Sequence, residues 1–239
     1  RVPPFAGAGT KAERVPASSG GKELPPIVAE TADVIVFCKP SGLPVHPGTG
    51  HTDSLTTRLE AAFAGSPFIP APVHRLDRDT SGLMMFAKDE KTQRTLRDNW
   101  HEIVTDRRYV AVVEGTMEKD YDTVVSWLTD KTLYVSSSEY DDGGSKSITH
   151  YRTIKRANGY SLLELDLETG RKNQIRVHMQ DLGHPIIGDG RYGGEDSPNP
   201  IGRLALHAFK LCFYHPVTGD LMEFETPYPG EFKKLFLKK

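Results

Sequence analysis

Hydrophobic residues in this chain come in short runs broken by polar, glycine- and proline-rich stretches, a pattern of strands more than of helices. VIVFC at 34–38 is apolar throughout and predicts a strand buried on both faces. It stops at KPSGLPVHPGTG, where three prolines and three glycines predict a long ordered loop. DSLTTRLEAAFAG then turns helical. Asp53 or Ser54 caps it, Leu55, Leu59, Ala62 and Phe63 share one face, and Gly65 ends it. LMMFA (83–87) predicts a strand, a polar helix follows over roughly 90–100, and RYVAVVEG (108–115) predicts another strand. TVVSWL, TLYVSSS, SITHYRTIKR and SLLELDLETG are all strand-like. Turn signals stand at Asp142-Gly143-Gly144 and at Asn158-Gly159, the second a strong hairpin signal. KNQIRVHMQDLG predicts a short helix with Ile175, Met179 and Leu182 on one face. LALHAFKLCFYHP and LMEFETP predict a hairpin over Thr218-Gly219-Asp220, and GEFKKLFLKK a terminal helix with a basic end. Consecutive hairpins with few helices predict an α+β fold around a mixed, mostly antiparallel sheet with flanking helices. Residues 1–26, rich in Pro, Gly, Ala and Ser without an apolar period, read as a flexible tail or linker, and 27–239 as the folded domain.

Composition narrows the class. Of 239 residues, 37% are hydrophobic and 26% charged, enough apolar material for a sizeable core. The net charge of −2 excludes a global basic field, so any nucleic acid must be met by a local basic cleft. Cys38 and Cys212 both lie in apolar runs and read as buried, reduced thiols of a cytoplasmic protein. No Cys or His pair has ligand spacing, so no metal is expected. No apolar run approaches the roughly 20 residues of a membrane span. No signal peptide is visible. The chain opens at Arg1 without a methionine, and something upstream is expected to be missing.

The densest chemistry is HRLDRDTSG, residues 74–82: one histidine, two arginines, two carboxylates, two hydroxyls and a glycine between a proline-rich loop and a strand. Loops that feed a sheet often carry functional groups. An Asx or ST turn with solvated arginines would also produce such a run. A carboxylate glycosidase is a rival reading, since Asp77 and Asp79 would share one face if the run were a strand. An RNA-binding domain without catalysis is another. Further on, Arg171, Lys172 and Arg176 crowd the start of the helix in ETGRKNQIRVHMQDLG, where the dipole favours anions. Tyr109 opens an apolar strand, with Arg107 and Arg108 beside it.

Together, VIVFCKPSGLPVHPG, HRLDRDTSGLMMFAKD, RRYVAVVEG, TGRKNQIRVHMQDLGHPIIGDGRYG and LALHAFKLCFYHPVTG resemble the motifs of the RluA-type pseudouridine synthases. They run in that family's order from about Val34 to Pro227 and cover nearly all of the folded part. One departure is Asn173, where the family commonly has histidine; it should alter a local hydrogen bond. Within this sequence only the tail precedes Ile27, and not the RNA-binding domain that many relatives carry.

The resemblance implies an isomerase with a central active-site cleft that converts specific uridines in ribosomal RNA, that of the large subunit foremost, or in transfer RNA to pseudouridine, without cofactor, metal, membrane or obligate protein partner. By the match Asp77 is the catalytic carboxylate, Arg176 its ion-pair partner and Tyr109 the active-site tyrosine that stacks on uracil. An arginine partner is expected to lower the pKa of Asp77. Arg75 matches a residue that fills the space left by a flipped base. Arg75, Arg78, Arg107, Arg108, Arg171 and Lys172 are expected to gather on one face as the RNA site. His74 is a further substrate contact, although it and His178 suit structural hydrogen bonding better. Lys39 divides evenly between a backbone or phosphate contact and plain loop structure.

Overall fold

The computed structural model describes residues 23–48, 52–131 and 134–237. In chain order its elements are β1 (Ile27–Glu30), β2 (Val34–Lys39), α1 (Leu55–Ala62), β3 (Ala71–Pro72), β4 (Ser81–Ala87), α2 (Glu90–Asp98), α3 (Trp100–Ile103), β5 (Val104–Glu114), β6 (Tyr121–Asp130), β7 (Val135–Ser138), β8 (Ser145–Ala157), β9 (Tyr160–Leu167), α4 (Gln174–Asp181), β10 (Leu206–Tyr214), β11 (Leu221–Glu225) and α5 (Gly230–Lys234).

The strands form one sheet in the order β1-β2-β4-β10-β5-β9-β8-β6-β7, with β11 on β10 and β3 on β4. β4 and β10 run parallel and the other pairs antiparallel, so the expected mixed, mostly antiparallel sheet is present. Its centre is buried on both faces, as the unbroken apolar run VIVFC requires. On β2 and β4, Ile35, Phe37, Met84 and Phe86 pack toward one core with Leu55 and Leu59 of α1 and Ile175 and Met179 of α4. Val34, Val36, Leu83 and Met85 pack toward the other, with Leu96 of α2 and Phe213 of β10. The β8–β9 turn puts Asn158 and Gly159 both at positive φ (57° and 77°), as a tight hairpin turn demands.

Several boundaries move. The polar helix divides at Asn99 into α2 and α3. Residues 23–26 are tied to the fold: Leu24 packs on the core and Cys38 N–H donates to the Pro26 carbonyl at 2.9 Å. The folded part therefore starts before Ile27, while 1–22 of the expected tail lie outside the described residues. So do Thr132 and Leu133 of TLYVSSS and the last two lysines of the terminal segment, whose helix stops at Lys234. Arg171 and Lys172 precede α4 rather than opening it. Asn173, at a left-handed φ of 54°, is its N-cap, and six of its eight residues, Arg176 included, are buried. Among the described residues no helix is long and apolar enough to cross a membrane.

Candidate active site

The loop 74–80 is held from below by the proline-rich loop after β2. Lys39 is buried, and its Nζ donates to the carbonyls of Pro40, Leu43 and Arg78 at 2.8–3.0 Å. Burial draws its pKa down to about 7, against the pull of Asp79 and Asp77. Ser41 Oγ donates to the Asp79 carbonyl at 2.6 Å, and Gly42 N–H to that of Arg78 at 3.0 Å. Two carbonyls of this loop, those of Arg78 and Asp79, are thus bonded by KPSG, and Lys39 ties the two loops together. Ser81 and Gly82, at the end of the run, are packing residues. Ser81 bonds His207 Nδ1 at 2.8 Å and accepts from Arg203 Nη2 at 2.5 Å. Gly82, at φ +121°, lies so close to β10 that a Cβ would stand 2.2 Å from the Ala208 carbonyl oxygen. Only glycine permits this strand to approach its parallel neighbour.

Asp77 sits above this floor with its side chain 19% exposed. Burial pushes its pKa up, and this outweighs the lowering charges of Arg176, Arg75 and Lys39, a reversal of the sequence expectation. Arg176 Nη1 approaches it to 3.9 Å. The main partner of Arg176 is Asp189, which accepts from Nε and Nη2 at 2.7 Å each. Arg176 Nη1 also donates to Asn173 Oδ1 at 3.1 Å, and its guanidinium carbon lies 5.0 Å from the Tyr192 ring centre. Tyr109 projects from β5 into the same pocket. It is 5% exposed, and burial raises its pKa, keeping the phenol neutral.

Seven of the sequence candidates line this pocket: Asp77, Tyr109, Arg176, Arg75, Arg107, Arg171 and Lys172. The cations divide by partner. Lys172 binds Asp130 at 2.8 Å, Arg78 binds Asp79 outside the pocket, and Arg108 binds Asp106 at 2.9 Å. Among the described residues, Arg75, Arg107 and Arg171 have no carboxylate within ion-pair distance. The expected single basic face is therefore narrower. Arg107 and Arg108 are neighbours on a strand and point to opposite faces. Arg107 lies 5.7 Å over the Trp100 ring, and Gly170 leaves room for its guanidinium, since a Cβ there would meet Nη2 at 3.2 Å. Asp77 and Asp79 do not form the carboxylate pair of a glycosidase. Asp77 stands in a loop, and Asp79 faces Arg78. His74 is a packing residue. Its Nε2 accepts the Met85 N–H at 2.9 Å, its ring lies 5.0 Å from that of Trp100, and burial lowers its pKa to about 3. His178 of α4 bonds Ser126 of β6 and Thr149 of β8, tying the helix to the sheet.

Residues 33–181 match the model of the RNA pseudouridylate synthase family. The chain is 38% identical to an uncharacterized RNA pseudouridine synthase of Bacillus subtilis, YlyB, over 87% of this chain and 71% of that protein. The chain belongs to the RNA pseudouridylate synthase family. It is also 37% identical to the ribosomal large subunit pseudouridine synthase D of Haemophilus influenzae, over 87% of this chain and 69% of the relative. Among solved structures, human RNA Pseudouridylate Synthase Domain Containing 1 shares the fold with a TM-score of 0.72 at 23% identity, over 88% of this chain and 86% of that one. These enzymes are isomerases that convert uridine to pseudouridine in RNA, in agreement with the resemblance read from the motifs. In this pseudouridine synthase, sequence reasoning passed over Asp189, Tyr192 and Gln174. Gln174 joins α4 to β8, donating to the Ile148 carbonyl at 3.0 Å and to Thr149 Oγ1 at 2.9 Å. The GDGRYG stretch that carries Asp189 and Tyr192 was visible, but nothing in it names the arginine it serves.

Proposed function

We propose that this synthase isomerises uridine in large-subunit ribosomal RNA, with Asp77 as its catalytic carboxylate. The observation that carries the reading is the pocket itself. A single shielded carboxylate lies beside a buried arginine and a neutral tyrosine, under three arginines without a carboxylate partner among the described residues. Isomerisation breaks the bond from ribose C1′ to uracil N1 and forms one from C1′ to C5. The proton lost from C5 is balanced by one gained at N1, so no co-reactant is consumed. A carboxylate serves the ribose either as nucleophile at C1′ or as base toward a sugar proton. Tyr109 offers a ring face for stacking on uracil. Arg75 fills the stack that the base leaves. The large-subunit reading is supported by what the Haemophilus influenzae relative is named for. The test is tritium release from RNA labelled at uracil C5, followed by mapping of pseudouridine in ribosomal and transfer RNA from cells with and without the gene. Release of free uracil would mark a glycosidase, and loss of sites in transfer RNA alone would replace the ribosomal reading.

The partner pattern sets an RNA-binding expectation. Each phosphate contact on single-stranded RNA contributes about −0.7 to the slope of log affinity against log salt. Arg107→Ala removes a pocket cation with no ion-pair partner among the described residues and should flatten that slope by about 0.7. Arg108→Ala removes a cation already bound by Asp106 on the other face and should leave the slope unchanged. Equal effects of the two changes in a filter-binding titration would place the RNA elsewhere.

A further inference from the structure

Arg176 stands between two carboxylates, and they do not share it equally. Asp189 takes both of its short bonds, from Nε and Nη2 at 2.7 Å. Asp77 is left with an approach of 3.9 Å to Nη1, which itself donates at 3.1 Å to Asn173 Oδ1. Asp189 cannot follow the guanidinium. Its side chain is 0% exposed, and its Oδ1 also accepts the backbone N–H groups of Arg191 and Tyr192 at 3.0 Å. Tyr192 closes one face of the guanidinium, and its hydroxyl is pinned by Val135 N–H at 2.9 Å and Asn173 Nδ2 at 3.0 Å.

A carboxylate engaged in a bidentate arginine fork has its lone pairs committed to hydrogen bonds. One held at 3.9 Å feels the charge and keeps its lone pairs. We propose that Asp189 is a positioning residue for the isomerisation: by binding Arg176 bidentately it holds the guanidinium back from Asp77, leaving the Asp77 oxygens available to the ribose. This rests on the reading of Asp77 as the catalytic carboxylate. Asn173 and Tyr192 complete the cradle.

The charged and titratable groups around Asp77 are Arg176 from α4, Arg75 from its own loop, Lys39 from the end of β2, Tyr109 from β5 and Asp189 from beyond α4, with Arg107 of β5 and Arg171 and Lys172 ahead of α4 lining the same pocket. Asp189→Asn removes a negative charge and releases Arg176 toward Asp77, and both changes favour the ionised Asp77. Asn173→Asp keeps the shape and suits the same left-handed backbone. It adds a negative charge on Nη1 and draws the guanidinium further from Asp77.

The experiment follows single-turnover tritium release from an unmodified large-subunit ribosomal RNA transcript, labelled at uracil C5, across pH. Asp189→Asn should move the acid limb down by about one pH unit. The plateau rate should fall at least tenfold while RNA affinity is unchanged. Asn173→Asp should move the limb up. Limbs that stay in place, or that move in the same direction in both variants, would overturn the proposal even if both melt earlier, since a merely structural role lowers stability without moving a limb. If Asp189→Asn fails to fold, the sign of the Asn173→Asp shift decides. Asp77→Asn is assayed in parallel. An active Asp77→Asn protein refutes the reading of Asp77, whereas an inactive one with unmoved limbs in the other variants refutes only the role of Asp189.

Discussion

Asp77→Asn is expected to abolish pseudouridine formation and to leave the protein at least as stable as its parent. The first half follows from the proposed chemistry: the amide keeps the shape of the carboxylate but can neither attack C1′ nor take a proton. The loss should reach about 10³-fold or more, the scale on which removal of a catalytic group acts. The second half separates a site residue from a structural one. Removing one member of a buried ion pair usually leaves its partner uncompensated. Here Arg176 keeps both of its 2.7 Å bonds to Asp189, so no cation is stranded. Burial raises the Asp77 pKa in the folded protein. The folded state therefore binds this proton more tightly than the unfolded chain does. As pH rises from the unfolded value of about 3.8 through the raised folded value, the ionised carboxylate costs stability, and that cost is complete at neutral pH. Denaturation of parent and variant should give equal midpoints well below that window. At neutral pH the variant should be equal or higher. A destabilised Asn variant at neutral pH would show that Asp77 holds the fold together, and substantial residual activity would remove it from the chemistry.

Much of this site is written locally in the sequence, and the rest is not, for physical reasons. HRLDRDTSG declares itself by density of function, and VIVFC and LMMFA declare their strands by unbroken apolarity. Those are properties of short windows. The separation of Arg107 from Arg108 was also legible, since neighbours on a strand face opposite ways, and reading both into one cleft overlooked that alternation. Asp189 is different. It lies 13 residues beyond Arg176, past the end of a helix, in a loop of glycines that would serve equally well as a plain turn. Only the path of the chain brings it back under α4. The sign of the Asp77 pKa shift is three-dimensional too. The motifs show the arginines, but not how much water the carboxylate loses, and that loss prevails here.

Arg176→Ala carries the largest expected cost to the fold. Asp189 in the parent is fully buried. Burial alone would raise its pKa, but the hydrogen bonds and charge of Arg176, helped by the backbone amides of Tyr192 and Arg191, hold it below the usual carboxylate range. Its contribution to stability is thus present above the unfolded pKa and is lost as pH falls through the folded one. Without Arg176 the same carboxylate keeps only the two backbone donors at 3.0 Å, and Asp77 loses the nearest charge that offsets its burial. Breaking a buried pair from one side costs about 3–5 kcal/mol. The lost stacking on Tyr192 adds to this, on the order of 1 kcal/mol. The destabilisation should be greatest at neutral pH and should shrink in acid, where Asp189 is protonated in the variant. Arg176→Lys keeps a charge but not the planar fork and should cost less. The decisive comparison is the double variant Arg176→Ala with Asp189→Asn. If the penalty is the stranded carboxylate, the second change recovers part of the lost stability at neutral pH, while pseudouridine formation stays absent because Asp77 has lost its cation. A double variant no more stable than Arg176→Ala alone would assign the cost to packing rather than to charge.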